Sequence, residues 1–339
     1  MAKNIIVNDL ERLARGEFRK LSAGLTPSGK LHIGTLVTLM NGLLYMKDHD
    51  EATLDVTIHD LYANFQMGLS FLPAKYREDP DGCHAQRREH TKEELETFFE
   101  GMAEYLGIDA SRINIGYMSD ILAQPNTRKK ISEVLGDNRK RYALKQIIKS
   151  DGKGNHKVPL HPVCGSCRHA STEYARYKPK TDELEATCNT KGCEQEGRSF
   201  KVRISDTSLE IVPYYLINLI RDVIPHQRKD RADLHLSGGD KLERRGTKYG
   251  REVPTIAERG LYIMEVFSKA LPTLYIGPTV TYRGTKLSKR QHSRFTFAKL
   301  AERYENWQEQ LLAFTLEAAK QPEYDIRQSN LKDMLKDAA

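Results

Sequence analysis

Three groups of side chains are spaced in ways that could do chemistry. Pro27-Ser28-Gly29-Lys30-Leu31-His32-Ile33-Gly34-Thr35 sets a glycine-containing turn and a histidine against the start of an apolar stretch. A helix that begins there offers free backbone N–H groups and a positive dipole end, which attract anions such as phosphate. Far down the chain, Lys286-Leu287-Ser288-Lys289 places two lysines and a hydroxyl in one loop, a second set of groups that can clamp phosphate oxygens. Between them, Cys164-x-x-Cys167 and Cys188-x-x-x-x-Cys193 form two short pairs separated by twenty residues. Paired spacings of that kind bring four thiolates to a tetrahedron, and four thiolates leave no open position, so the expectation is structural Zn2+. His161 and His169 flank the first pair, and Cys83 stands apart.

Taken alone, either terminal segment has an ordinary reading: a histidine at a helix start can be structural, and a Lys-x-x-Lys loop can be solvated surface. Their order at opposite ends of one alternating chain is what gives them weight. Together they resemble the HIGH and KMSKS signatures of class I aminoacyl-tRNA synthetases, over roughly residues 20 to 296.

The resemblance implies activation of an amino acid by ATP, with Mg2+, to an aminoacyl adenylate, followed by transfer to the acceptor end of tRNA. The carboxylate attacks the α-phosphorus in line and pyrophosphate leaves, so the site must position reactants and stabilise phosphate charge. His32, Lys286 and Lys289 are the expected catalytic residues. Pro27, Ser28, Gly29, Gly34, Thr35 and Ser288 are expected to hold ATP. Gly34 is read as removing a side chain where adenine would sit. Leu236-Ser237-Gly238-Gly239-Asp240 follows a predicted strand, and Gly239 and Asp240 are expected at the ribose. Gly24 and Asp60 are expected on the amino-acid side. Two positions depart from the signatures: Thr35 replaces a histidine, and Arg290 replaces a serine.

Within the family, the inserted cysteine module and the Pro-Ser-Gly-x-x-His-Ile-Gly form are most similar to class I, archaeal-type lysyl-tRNA synthetases. Leu287-Ser288-Lys289-Arg290 is instead similar to the glutamyl and glutaminyl enzymes, and Ile58-His59-Asp60-Leu61-Tyr62-Ala63 to the tyrosyl and tryptophanyl branch. Lysine is the first expectation for the substrate, with Asp60 facing its amino group. The segment after Arg290 is shorter than the family's anticodon-binding domain. Two alternatives therefore stand beside tRNA charging: a paralogue that passes the aminoacyl group to a non-tRNA or modified-base acceptor, and a non-catalytic ATP- or RNA-binding module.

The elements that must carry these groups alternate. Strands are expected at Lys20–Leu25, Thr53–His59, Arg112–Tyr117, Asp233–Ser237 and Thr273–Gly277. Helices are expected at residues 1–18, Ile33–Met46, Glu93–Leu106, Thr127–Ile148, Leu209–Val223 and Ile256–Ala270. Such alternation predicts an α/β fold, a Rossmann-type parallel sheet covered by helices. The expected organisation is a first half of the catalytic domain at 1–150, a zinc-binding module inserted at 151–202 after Asp151-Gly152-Lys153-Gly154-Asn155, a second half at 203–296, and a helical tail at 297–339.

The chain has 339 residues, is 39% hydrophobic, and carries 53 basic against 46 acidic residues for a net charge of +7. That balance is compatible with an RNA partner, although interleaved charges are mainly solvated surface. Without an apolar run of membrane-spanning length or an apolar segment at the N-terminus, the reading is a cytoplasmic protein with no membrane association.

Overall fold

The computed structural model describes residues 6–7, 10–25, 27, 30–60, 80–150, 157–167, 170–171, 173–207, 211–213, 233–238, 247–248, 251–252, 273–287, 295–332 and 334. The elements in chain order are β1 (Ile6–Val7), α1 (Leu10–Ala14), β2 (Lys20–Leu25), α2 (Ile33–Lys47), β3 (Thr53–Ile58), α3 (Pro80–Leu106), β4 (Ile113–Tyr117), α4 (Met118–Ala123), α5 (Pro125–Gly136) and α6 (Asn138–Ser150). Short strands follow: β5 (Leu160–Pro162), β6 (Arg176–Lys178), β7 (Glu183–Thr187), β8 (Ser199–Arg203) and β9 (Ile211–Pro213). The remaining elements are β10 (Leu234–Ser237), β11 (Thr247–Lys248), β12 (Arg251–Glu252), β13 (Thr273–Ile276), β14 (Thr279–Tyr282), β15 (Thr285–Lys286), α7 (Phe297–Arg303), α8 (Trp307–Ala318) and β16 (Glu323–Asp325).

Six strands make the main sheet in the order β1-β13-β10-β2-β3-β4, and every neighbouring pair is parallel. The chain steps outward from β2 through β3 to β4, then returns to lay β10 against the other edge of β2. That reversal between β2 and β10 is the switch point of a doubly wound sheet, where ligands bind beyond the carboxyl ends of the strands. The His32 turn leaves β2 at this end, and Gly238 leaves β10 there.

Helices on a parallel sheet must be apolar where they touch it. Leu36, Val37, Leu39, Met40 and Leu43 of α2 are all buried in the hydrophobic core that includes the sheet strands, and Gly42 lets the helix approach the sheet. A Cβ on Gly42 would stand 2.6 Å from Leu236 Cδ1. The C-terminal end of α2 is closed by Arg112, whose guanidinium donates to the carbonyls of Met46 (3.1 Å), His49 (2.6 Å) and Ala52 (2.9 Å).

Five local expectations change. Residues 6–7 form an edge strand rather than part of a helix, because β-branched Ile6 and Val7 favour the extended pairing with Leu274 and Tyr275 of β13. The helix expected from Glu93 begins at Pro80, a residue suited to a first helical position. The helix expected over 127–148 is two helices, since the Asp137 carboxylate accepts from the N–H groups of Arg139 and Lys140 and starts α6 anew. Ile211–Pro213 pairs antiparallel with Leu160–Pro162 instead of entering a helix, as Pro213 lacks an amide N–H. The tail contains β16 as well as helices, and β16 lies parallel to β14. The remainder of the 209–223 expectation and the helix at 256–270 lie outside the described residues.

Two hydrophobic cores organise the molecule. The first joins the sheet, α2 and α3 to the C-terminal elements through Phe295, Phe297, Leu300, Leu311, Phe314 and Ile326. The second joins α4–α6, through Met118, Leu122, Ile131, Leu135 and Leu144, to Leu160, Leu184, Val202 and Ile211 of the cysteine-bearing segment.

Candidate functional site

After β2 the chain passes Pro27, which is buried, and reaches Leu31 and His32. His32 is the N-cap of α2 with extended backbone (φ −108°, ψ 157°), and its carbonyl accepts from Thr35 N (2.9 Å) and Leu36 N (3.2 Å). No acidic side chain occupies the first turn of α2, so its positive end is not neutralised from within the helix.

The turn is held from two other parts of the chain. Leu31 N–H donates to Glu94 Oε2 at 2.9 Å. Ile33 N–H donates to the carbonyl of Phe295 at 2.9 Å, and Phe297 N–H donates to the carbonyl of Leu31 at 2.8 Å. His32 and Thr296 thereby form an antiparallel bridge. Thr35, the residue standing where the signature has its second histidine, puts its hydroxyl 3.3 Å from His32 Nε2. At Gly34 an added Cβ would meet His32 Cε1 at 3.0 Å and Nδ1 at 3.1 Å. The glycine therefore keeps the space beside the His32 ring open.

Lys286 ends a hairpin. β14 and β15 pair antiparallel with Thr281 opposite Lys286. The intervening Arg283 (φ 53°) and Gly284 (φ 70°) are both left-handed, the geometry of the two-residue turn that matches strand twist. Leu287 N–H donates to Val280 O at 2.9 Å, and the Leu287 side chain is buried in the first core. Val280 Cβ lies 3.9 Å from the position a Cβ of Gly34 would take, so the hairpin abuts the first turn of α2. The chain leaves this hairpin at Leu287 and re-enters at Phe295, on the His32 turn. Ser288 and Lys289 lie between those two anchors, outside the described residues, as do Ser28, Gly29, Gly239 and Asp240.

On the other side of the switch point, Gly24 is an exposed residue of β2 in register with Thr57 of β3. Asp60 follows β3 and is buried. Its Oδ1 accepts from Ser119 N (3.0 Å), its Oδ2 from Ser119 Oγ (2.5 Å), and Arg88 Nη1 stands 3.6 Å away. Arg88 also pairs with Glu89 (3.1 Å) and lies over the Tyr117 ring, whose hydroxyl donates to Glu89 Oε2 at 2.9 Å. Burial, then the Glu89 carboxylate, pushes the Tyr117 hydroxyl above its ordinary pKa, so it stays a donor.

The four cysteines converge. Their sulfurs lie within 4.8 Å of one another, and Cys167 Sγ is 3.8 Å from Cys188 Sγ. Tetrahedral Zn2+ with bonds of about 2.3 Å would place its sulfurs about 3.8 Å apart, whereas a disulfide needs about 2 Å. The donor set therefore fits Zn2+. Cys164 and Cys167 sit on the turn after β5, and Cys188 and Cys193 on the loop between β7 and β8. Gly192 (φ 81°) and Gly197 (φ 71°) supply left-handed bends in that loop, and Cys188 N–H and carbonyl are tied to Arg198 and Gly197. Burial pushes the Cys164 thiol up, but hydrogen bonds with the N–H groups of Cys167 and Ser166 and with the thiols of Cys188 and Cys167 together hold it below its ordinary pKa. Burial raises Cys188. Among the described residues no other group of this kind occurs.

Glu94, Arg88, Glu89, Tyr117 and the 295–297 segment reach the site without having been singled out from the sequence. The first four are scattered over α3 and β4 with no motif spacing, and a backbone pairing carries no residue-type signal at all.

No protein-family model matches the chain, and no curated protein matches it. Among solved structures it is similar to the tyrosyl-tRNA synthetase from Aeropyrum pernix, with TM-score 0.41 and 14% identity over 83% of this chain and 59% of that one. It is also similar to a glutamate tRNA ligase from Elizabethkingia meningosepticum, with TM-score 0.37 and 15% identity over 83% of this chain and 54% of that one. AlbC, a cyclodipeptide synthase from Streptomyces noursei, overlaps with TM-score 0.27 and 14% identity over 40% of this chain and 61% of that one. The chain thus covers less than two thirds of each of these structures. At such scores the overlap is partial, and the site stands on its own residues. No helix among the described residues is long and apolar enough to cross a membrane.

Proposed function

We propose that the protein activates an amino acid with ATP and hands the aminoacyl group to tRNA. The observation that carries this reading is the pairing of residues 31–33 with 295–297, which returns the lysine-bearing segment to the His32 turn. In this reading the two anion-binding elements, from opposite ends of the sequence, serve one ligand position at the carboxyl ends of β2 and β10.

In the proposed reaction an amino-acid carboxylate oxygen forms a bond to the α-phosphorus of ATP, brought in as its Mg2+ complex. The bond from that phosphorus to the bridging oxygen breaks, and pyrophosphate leaves with the electron pair. His32 donates a hydrogen bond to a phosphate oxygen as charge builds, and Lys286 and Lys289 hold the departing phosphates. Pro27, Ser28, Gly29, Gly34, Thr35 and Ser288 line the ATP side, and Gly239 and Asp240 the ribose. A tRNA hydroxyl then attacks the activated carbonyl and releases AMP.

Lysine is the first amino acid to test. Gly24 and Asp60 stand on its side of the site. The Asp60 carboxylate is held by Ser119, yet each carboxylate oxygen accepts more than one bond, so an amino group could join as a further donor. Zn2+ on Cys164, Cys167, Cys188 and Cys193 is assigned a structural role, cross-linking two turns.

Exchange of labelled pyrophosphate into ATP, screened over all amino acids with and without tRNA, tests the reading. Exchange dependent on one amino acid is the expected result. No exchange under either condition overturns it, and exchange without tRNA charging moves the acceptor to another molecule.

A further inference from the structure

We infer that Glu94 is a positioning residue for His32, acting through the Leu31 amide. This rests on the reading proposed above. The Glu94 side chain is only 9% exposed, and its Oε2 accepts the Leu31 N–H at 2.9 Å across a sequence separation of 63. Leu31 directly precedes His32, so this bond fixes the backbone from which the histidine projects.

The reason a side chain is needed lies in the neighbouring ladder. His32 and Thr296 form a bridge whose flanking bonds run from Phe297 N to Leu31 O and from Ile33 N to Phe295 O. Continuation would give the Leu31 N–H the carbonyl of Phe297 as its acceptor. Phe297 is the first residue of α7, and a helix commits that carbonyl to its own next turn. The ladder therefore stops one bond short, and the Glu94 carboxylate supplies the missing acceptor.

The support behind Glu94 is rigid. Its neighbour Leu95 and the following Phe98, Phe99 and Met102 of α3 are buried in the first core. His90, one turn earlier, places Nε2 3.9 Å from Glu94 Oε1, beyond hydrogen-bond reach, so that oxygen is buried without a hydrogen bond and the Leu31 amide is what holds the carboxylate. A catalytic group displaced by about 1 Å can lose about 10²-fold in rate, so a fixed amide one residue before His32 has kinetic consequences.

What the turn needs from Glu94 is an acceptor at the right reach, and charge is secondary. Glu94→Gln keeps a carbonyl oxygen at the same distance. Glu94→Asp keeps the charge but is one methylene short. The test measures amino-acid-dependent pyrophosphate exchange and hydrogen exchange of the peptide spanning residues 30–36 in wild type and in the Gln, Asp and Ala variants.

Glu94→Gln is expected within about threefold of the wild-type kcat, and Glu94→Asp and Glu94→Ala about 10- to 100-fold below it, with KM for ATP shifted far less. Faster Leu31 amide exchange should accompany the Asp and Ala changes only. A Glu94→Asp protein that keeps wild-type kcat while Glu94→Gln loses it overturns the inference in favour of charge. Wild-type kcat in Glu94→Ala overturns it outright. Should Glu94→Ala fail to fold, the Gln and Asp pair decides. Absence of exchange from the wild-type protein with every amino acid counts against the proposed function instead. Amide exchange then decides alone, and unchanged Leu31 protection in Glu94→Asp overturns the inference.

Discussion

Ile33 donates its amide N–H to the carbonyl of Phe295 at 2.9 Å, and this bond joins the first turn of α2 to the far side of the lysine-bearing segment. Phe295 and Phe297 are buried on either side of Thr296, with the Phe297 ring 5.1 Å from Trp307 and 5.9 Å from Phe98. The bond is therefore backed by packing, and residues 295–297 cannot shift without disturbing the His32 turn.

Replacing His32 by Ala removes a donor expected to act as charge builds on phosphate, so the rate of amino-acid activation should fall about 10²-fold or more. KM for ATP should change far less, because ground-state binding is spread over many groups. Thr35→Ala removes the hydroxyl 3.3 Å from His32 Nε2 and should produce a smaller loss of the same kind. Steady-state pyrophosphate exchange checks both variants. A variant of His32 in which only KM moves would contradict the role assigned to the imidazole.

Packing of α2 gives a prediction with a built-in control. Alanine is a better helix former than glycine by about 1 kcal/mol. At Gly42 the new methyl would stand 2.6 Å from Leu236 Cδ1, in a core position that is 2% exposed. Overpacking of a tight core costs about 1–3 kcal/mol, which exceeds the helix gain. Gly42→Ala should therefore destabilise the protein by about 1 kcal/mol or more. At Gly136, on α5, a Cβ meets nothing within 4 Å, and Gly136→Ala should be neutral or stabilising. A lowered urea unfolding midpoint for Gly42→Ala, with that of Gly136→Ala unchanged or raised, is the expected result.

The sheet strands that bury both faces were legible because Leu21, Leu54, Val56, Ile58, Leu234 and Leu236 announce themselves as apolar runs bounded by turns. β1 and β16 were not, since a pairing two or three residues long leaves too little pattern to read. The cysteine cluster was legible because its four ligands come as two local pairs. Glu94 was not: it sits in Lys92-Glu93-Glu94-Leu95-Glu96, where three glutamates look alike and only packing makes one of them buried. Glu93 and Glu96 are exposed while Glu94 meets Leu31. Motif residues could be found from sequence, then, but the residues that hold them could not.

Asp325 ties the end of β16 to Arg327, with Nη2 at 2.8 Å and Nε at 3.1 Å. The Arg327 side chain, then its backbone N–H and that of Arg283, hold the Asp325 carboxyl below its ordinary pKa against a smaller opposing effect of burial. A depressed carboxylate contributes stability that is present above the ordinary value of about 4 and is lost as pH falls through the lower, folded value. The Arg327 head is half exposed, so the contribution is modest. The thermal midpoint of Asp325→Asn should lie below wild type at pH 6, with the gap closing below about pH 4. A gap that stays constant across this range would remove the ion pair as its cause.

Metal removal should reach further than the cysteine loops. The purified protein is expected to hold one Zn2+ per chain, and metal analysis before and after chelation measures it. Ligand thiolates must be deprotonated, so binding releases protons and weakens as pH falls. The second core holds Leu160, Leu184 and Val202 in one cluster with Ile131, Leu135 and Leu144, so loss of the cross-link between the turns at Cys164 and Cys188 should loosen α5 and α6 as well. The main sheet has its own core, built from α2, α3 and the C-terminal elements, and should keep its protection. Hydrogen exchange after chelation is therefore expected to rise over residues 125–144 and 157–204 while β2, β3 and α2 stay protected. The same pattern should follow from Cys188→Ser, which removes a buried ligand without adding a chelator. Protection loss confined to residues 164–193 would mean that the second core holds without the metal, and loss across the sheet would mean that the two cores unfold as one.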